Sequence, residues 1–73
     1  MPKLKEVGDK CIQDREYNLS AKAYKLANDN ESLNKLGELC IKEGFIETGY
    51  EIYELAGNSI MVEFIKENFQ IRN

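Results

Sequence analysis

Apolar and small residues recur at helical spacing from one end of the chain to the other. Leu4, Val7, Gly8 and Cys11 fall three, four and seven apart, which is one face of an α-helix, and Tyr17, Ser20, Tyr24 and Ala27 continue the pattern. No stretch alternates with the period of two that a half-buried strand needs. The single proline is at position 2, so nothing downstream forbids helix. Turns are expected at Gln13 to Glu16, at Asn28-Asp29-Asn30, at Glu43-Gly44 and at Gly57-Asn58, because Gly and Asn tolerate positive φ and Asn and Asp cap helix starts. The pattern predicts an all-α chain with helices near 3 to 14, 16 to 28, 31 to 43, 45 to 56 and 59 to 71.

Set against itself at an offset of 29, the chain aligns Leu4 with Leu33, Gly8 with Gly37, Cys11 with Cys40 and Ile12 with Ile41. Further along, Tyr24 meets Tyr53, Leu26 meets Leu55 and Ala27 meets Ala56. Each of these identities is apolar or small. Val7 with Leu36 is a conservative pair, and Ser20 with Gly49 keeps a small residue where two helices would cross closely. The unit is a pair of helices that cannot bury its apolar face alone and gains a core by stacking on a copy. A third copy begins with Val62, Ile65 and Phe69 at the places of Leu33, Leu36 and Cys40. The expected layout is one domain over 1–73, with a first repeat at about 3–29, a second at about 31–58 and a closing helix at about 59–71.

The stations Leu4, Val7-Gly8, Cys11, Tyr17, Ser20, Tyr24 and Ala27 recur as Leu33, Leu36-Gly37, Cys40, Ile46, Gly49, Tyr53 and Ala56. In residue type and spacing they resemble the tetratricopeptide family over about residues 4 to 58. Three features depart from its pattern. The period is 29 instead of about 34, the terminal proline is missing, and Cys stands twice for the aromatic of the first helix. Only five residues separate Ala27 from Leu33, so the shortening falls in the turn between repeats.

The resemblance implies helical hairpins in a right-handed superhelical stack, with a concave binding surface lined by the first helix of each repeat. Helical geometry then turns Lys5, Asp9, Ile12 and Gln13 toward the groove, followed by Asn34, Glu38, Ile41 and Lys42, and by Glu63, Glu67 and Gln70. The same mixture of Lys, Asp and Glu is what solubility alone produces on a helix face. Members that clamp a terminal carboxylate use basic and Asn-rich grooves. Asp9, Glu38, Glu63 and Glu67 disfavour that ligand here.

The final helix has an apolar surplus. Ile60, Phe64 and Ile71 cluster on one side, away from Val62, Ile65 and Phe69, whereas Glu31, Lys35 and Lys42 hold their places one repeat earlier. Either this helix tilts and buries both stripes, or Ile60, Phe64 and Ile71 form a patch for a second copy or for a partner helix. Lys66 stands where the repeats have Gly, which argues against a further second helix packing there.

Composition removes other classes. Of 73 residues, 42% are hydrophobic and 32% charged, as in a globular domain. The net charge of −3 is uneven: residues 1–36 carry seven Lys or Arg against six Asp or Glu, and residues 37–73 carry three against seven. No three cations cluster in a short window, so neither nucleic acid nor an anionic membrane is an expected partner. The longest apolar runs, Leu39 to Ile41 and Ile60 to Val62, fall far short of the roughly 20 residues of a membrane span. Without an apolar leader region after Met1, the chain is expected in the cytoplasm.

Catalysis finds little support. Without histidine, Ser20, Ser32 and Ser59 lack the commonest general base, and Cys11 and Cys40 lack an imidazole partner. Those two thiols make a poor zinc site, and both are expected as reduced core residues. Glu47, Glu51 and Glu54 read as the solvated stripe of an amphipathic helix, and the glycines form no phosphate-binding loop. No cofactor is expected. The leading expectation is a protein or peptide interaction or assembly module whose last helix forms a homodimer or partner interface. The alternative is an accessory subunit that docks on an enzyme or holds a small apolar ligand in a closed pocket near Tyr24, Tyr50 or Tyr53.

Overall fold

The apolar periodicity is realised as helix wherever it was strongest. A computed structural model describes residues 3–69 and contains α1 (Leu4–Gln13), α2 (Tyr17–Leu26), α3 (Asn30–Lys42), α4 (Ile46–Leu55) and α5 (Ser59–Phe69). Among the described residues there is no strand, and no helix is long and apolar enough to cross a membrane. Gln70 and Ile71 lie outside the described residues.

Four junctions share one mechanism. Arg15, Asn28, Gly44 and Gly57 each adopt positive φ, at 60°, 58°, 89° and 71°. After each, the next amide turns back onto the helix just ended: Glu16 N–H donates to the Cys11 carbonyl at 2.8 Å, Asp29 to Tyr24 at 3.0 Å, Phe45 to Cys40 at 2.8 Å and Asn58 to Tyr53 at 3.0 Å. These six-to-one bonds, closed by left-handed residues, are Schellman motifs that satisfy carbonyls the helix end leaves over. The first and third motifs, and the second and fourth, stand 29 residues apart. The sequence offset is thus a repeat of backbone geometry as well as of residue type.

The next helix starts are capped in the same register. Asp29 Oδ1 accepts from the Ser32 N–H at 3.0 Å at the head of α3, and Asn58 Oδ1 accepts from the Met61 N–H at 3.1 Å at the head of α5. A second bond, from Ser32 Oγ to Asp29 Oδ2 at 2.7 Å, fixes the first cap.

Helix α1 packs on α2 and α3 on α4, giving two hairpins, with α2 joined to α3 and α4 to α5. Small residues set the closeness of each hairpin. A Cβ on Gly8 would lie 2.7 Å from Tyr24 Cδ1, and one on Gly37 would lie 3.0 Å from Tyr53 Cε1 and Cζ. Each glycine therefore makes room for the tyrosine ring of its own hairpin, and this offsets the roughly 1 kcal/mol that Gly costs in a helix. The Ser20 hydroxyl donates to the Gly8 carbonyl at 2.8 Å, and at the corresponding crossing Gly49 lies against the Gly37 carbonyl.

The core has two linked parts. Ala21, Tyr24, Leu33, Leu36, Cys40 and Ile52 close the space between the hairpins, and Tyr50, Tyr53 and Ile65 close that between the second hairpin and α5. Cys11 and Cys40 are free and buried. Burial pushes the Cys40 thiol up to about 11, so it stays protonated near neutrality. The third copy follows the pattern only in part. Ile65 is fully buried like Leu36, but Phe69 is 42% exposed where its counterpart Cys40 is 0% exposed. Cys40 lies in the core that spans the two hairpins, whereas Phe69 ends the described part of α5.

Candidate functional site

A cleft of about 290 Å³ opens between α1 and α3. Its α1 wall is Lys5, Asp9 and Ile12, three of the residues expected from the sequence. Its α3 wall is Glu31, Ser32, Lys35, Leu36 and Leu39, and Tyr24 of α2 closes the floor. Apolar Ile12, Leu36 and Leu39 thus lie beneath a rim that carries two cations and two carboxylates.

The rim is ordered on one side. Lys5 Nζ lies 3.0 Å from Asp9 Oδ2, one helical turn along α1, and the Tyr24 hydroxyl donates to Asp9 Oδ1. The Tyr24 bond and, after it, the Lys5 bond hold the Asp9 carboxyl below the usual aspartate range. The same contact raises the Lys5 ammonium. Burial, followed by the Asp9 bond, pushes Tyr24 up to about 12. Asp9 is therefore a fixed anion and Tyr24 a fixed donor. Across the cleft, Glu31 and Lys35 are exposed, so charge of both signs is presented to solvent on that wall.

Of the other residues expected on α3, two face α5 instead. Asn34 Oδ1 accepts from Asn58 Nδ2 at 3.0 Å, and Ile41 packs with Tyr50, Tyr53 and Ile65. Both belong to the junction with α5. Glu38, Gln13 and Lys42 are exposed and do not line the cleft. The reason is geometric: a groove between successive first helices is bounded by opposite flanks of their core stripes, so shifting the α1 face by 29 residues finds only one wall. The missing wall lies on the other flank of the α3 core stripe, beyond Leu33, Leu36 and Cys40 on the helical wheel.

Two of the other concave surfaces among the described residues bear on the sequence expectations. Arg15, Tyr17, Asn18, Phe45 and Thr48 enclose a notch of about 250 Å³ where the two hairpin turns meet. The Tyr17 and Phe45 rings sit 5.8 Å apart at 54°. Tyr17 donates to Glu43 Oε1 at 2.7 Å, and Arg15 Nη1 lies 3.7 Å from the same oxygen. Sequence reasoning missed this notch, although turns 29 residues apart in a repeat must lie on one edge. The second surface is a shallow trough along α5 formed by Ser59, Ile60, Glu63, Phe64 and Glu67, which brings together four of the expected partner-binding residues.

The hydroxyls of Ser20 and Ser32 are engaged with the Gly8 carbonyl and the Asp29 carboxylate, both in structural roles. Among the described residues no group of three or more His, Cys, Asp or Glu is arranged to hold a metal ion. Comparison of the chain with protein-family models, with curated proteins and with solved structures finds no match.

Proposed function

We propose that the chain is a protein-interaction module, a tetratricopeptide-like right-handed stack of helical hairpins whose α1/α3 cleft takes up an extended or helical segment of a partner. The observation that carries this reading is the open cleft itself, apolar at its base and zwitterionic at its rim. A peptide presents this combination of an apolar side chain with adjacent charges, and fixed charges at a rim favour one register over others. A small apolar ligand would need enclosure, and the cleft above Tyr24 is open.

Capture of partners from a native lysate tests the reading. A partner retained by the wild type and by Lys22→Glu, an exposed change on α2, should be lost or much reduced with Lys35→Glu at the cleft rim. Equal retention by all three proteins would contradict the cleft assignment.

A further inference from the structure

In α3, the register positions that flank the cleft are the charged residues Glu31 and Lys35. One period later the same positions on α5 are Ile60 and Phe64. The hairpin frame is therefore satisfied by charge at these places and does not require an apolar residue at either. Yet Ile60 is 80% and Phe64 48% exposed, one helical turn apart, in a trough that also contains Glu63 and Glu67. The tilt that would have buried both stripes of this helix does not occur for these two residues.

We propose that this face of α5 docks an amphipathic helix of a partner protein, with apolar side chains one turn apart set on Ile60 and Phe64 and Lys or Arg alongside them to meet Glu63 and Glu67. The inference rests on the interaction-module reading above, but not on the cleft. Spacing fixes the occupant's form: apolar residues at i and i+4, beside acids at i and i+4 in the adjacent row, match a helix laid along a helix. Charge fixes its sign. Residues 37–73 carry seven acidic against three basic residues, an excess of four, so the surrounding field as well as the two adjacent carboxylates attracts a cationic segment.

The same charges argue against a symmetric pairing and against a lipid surface. A symmetric pairing of two copies through α5 would set Glu63 and Glu67 against their own duplicates. An anionic lipid surface would be repelled. Helix α1 of a second copy is a poor substitute, because Glu6 and Asp9 interrupt its lysines and Leu4 is its one large exposed apolar side chain.

Fluorescence anisotropy on the full chain tests the proposal with two synthetic helical peptides that share Leu at i and i+4 and differ only in carrying Lys or Glu beside them. The Lys peptide should bind and the Glu peptide should not, and binding should weaken as salt is raised. Phe64→Ser should weaken the Lys peptide about tenfold or more, since interface aromatics carry a disproportionate share of affinity. Reversal of both acids, Glu63→Lys with Glu67→Lys, should lower affinity for the Lys peptide about tenfold and create affinity for the Glu peptide. If Phe64→Ser fails to fold by circular dichroism, the charge-reversed protein decides alone. A cleft variant, Glu31→Lys with Lys35→Glu, should bind as the wild type does. Loss of binding in the cleft variant, with the α5 variants unaffected, would move the site to the cleft and overturn this proposal while leaving the module reading intact. Equal binding of both peptides, binding of neither, or a dimer in sedimentation that Phe64→Ser dissolves would also overturn it.

Discussion

The two hairpins occupy the same stations 29 residues apart and yet are locked with different tightness. In the first, the space for a Cβ at Gly8 is already taken by the Tyr24 ring, which is 2% exposed and tied by its hydroxyl to Asp9. In the second, the gap at Gly37 is wider by a few tenths of an ångström, and the tight approach has moved to Gly49, where a Cβ would meet Ile41 Cδ1 at 2.6 Å. Conserving a hairpin frame thus does not conserve where its closest approach falls. Tyr24 serves two ends in the first hairpin, since the contact that locks the helices also fixes the charge on the cleft wall.

The largest expected effects come from filling those gaps. Gly8→Leu should destabilise by about 3 kcal/mol or more in urea unfolding, beyond anything helix propensity would give, because overpacking displaces a ring held at both ends. Gly37→Leu should also lose stability. Alanine separates the hairpins more sharply: Gly8→Ala should lose about 1 to 2 kcal/mol net, and Gly37→Ala should come out near zero, as the roughly 1 kcal/mol gained in propensity offsets a modest contact. Equal losses at the two glycines would erase the distinction.

The turns offer a second contrast. Gly44 closes the turn of the second hairpin without strain, while Arg15 is forced into the same left-handed conformation in the first. Arg15→Gly should therefore stabilise by about 0.5 to 1 kcal/mol, with the greater freedom of glycine in the unfolded chain setting the upper bound. The Arg15 pairing with Glu43 is exposed, and its loss subtracts little. A lower thermal midpoint for this variant would mean that the Arg15 side chain matters more than its backbone.

These contrasts also define what the sequence made legible. Five helices, their order and the 29-residue period followed from apolar spacing and small residues such as Gly8 and Gly37, because burial of a helix face leaves a periodic trace. The strain at Arg15 left none, since no glycine or asparagine marks the position and only the repeat to Gly44 betrays it. One wall of the cleft was readable from Lys5, Asp9 and Ile12. The wall formed by Glu31, Lys35 and Leu39 was not, because its position depends on how hairpins are set against each other, and charged exposed residues look the same on any open face.

A smaller effect is expected from pH, and it separates the hairpins at the acid end, since burial raises Tyr53 of the second hairpin as it raises Tyr24. Asp9 is held below its ordinary range by Tyr24 and Lys5. Its contribution is therefore present above the unfolded value of about 3.9 and is lost as pH falls through the lower folded value. Tyr24 has the opposite sign. Its value is raised to about 12, so its contribution is complete below the unfolded value of about 10 and is lost as pH climbs toward 12. Tyr24→Phe should flatten the stability profile at both extremes relative to its own mid-pH value. An unchanged profile would show that the bond to Asp9 carries no linkage.

The claim from which the rest follows is that one hairpin is written twice, with its turns closed in the same way 29 residues apart. Amide hydrogen exchange read residue by residue tests it most directly, because the N–H groups of Glu16, Asp29, Phe45 and Asn58 would exchange freely in ordinary connecting loops. All four donate to a carbonyl of the preceding helix, and all four should be protected, with Glu16 matching Phe45 and Asp29 matching Asn58 in kind. Free exchange at one member of either pair beside protection at the other would contradict the repeat.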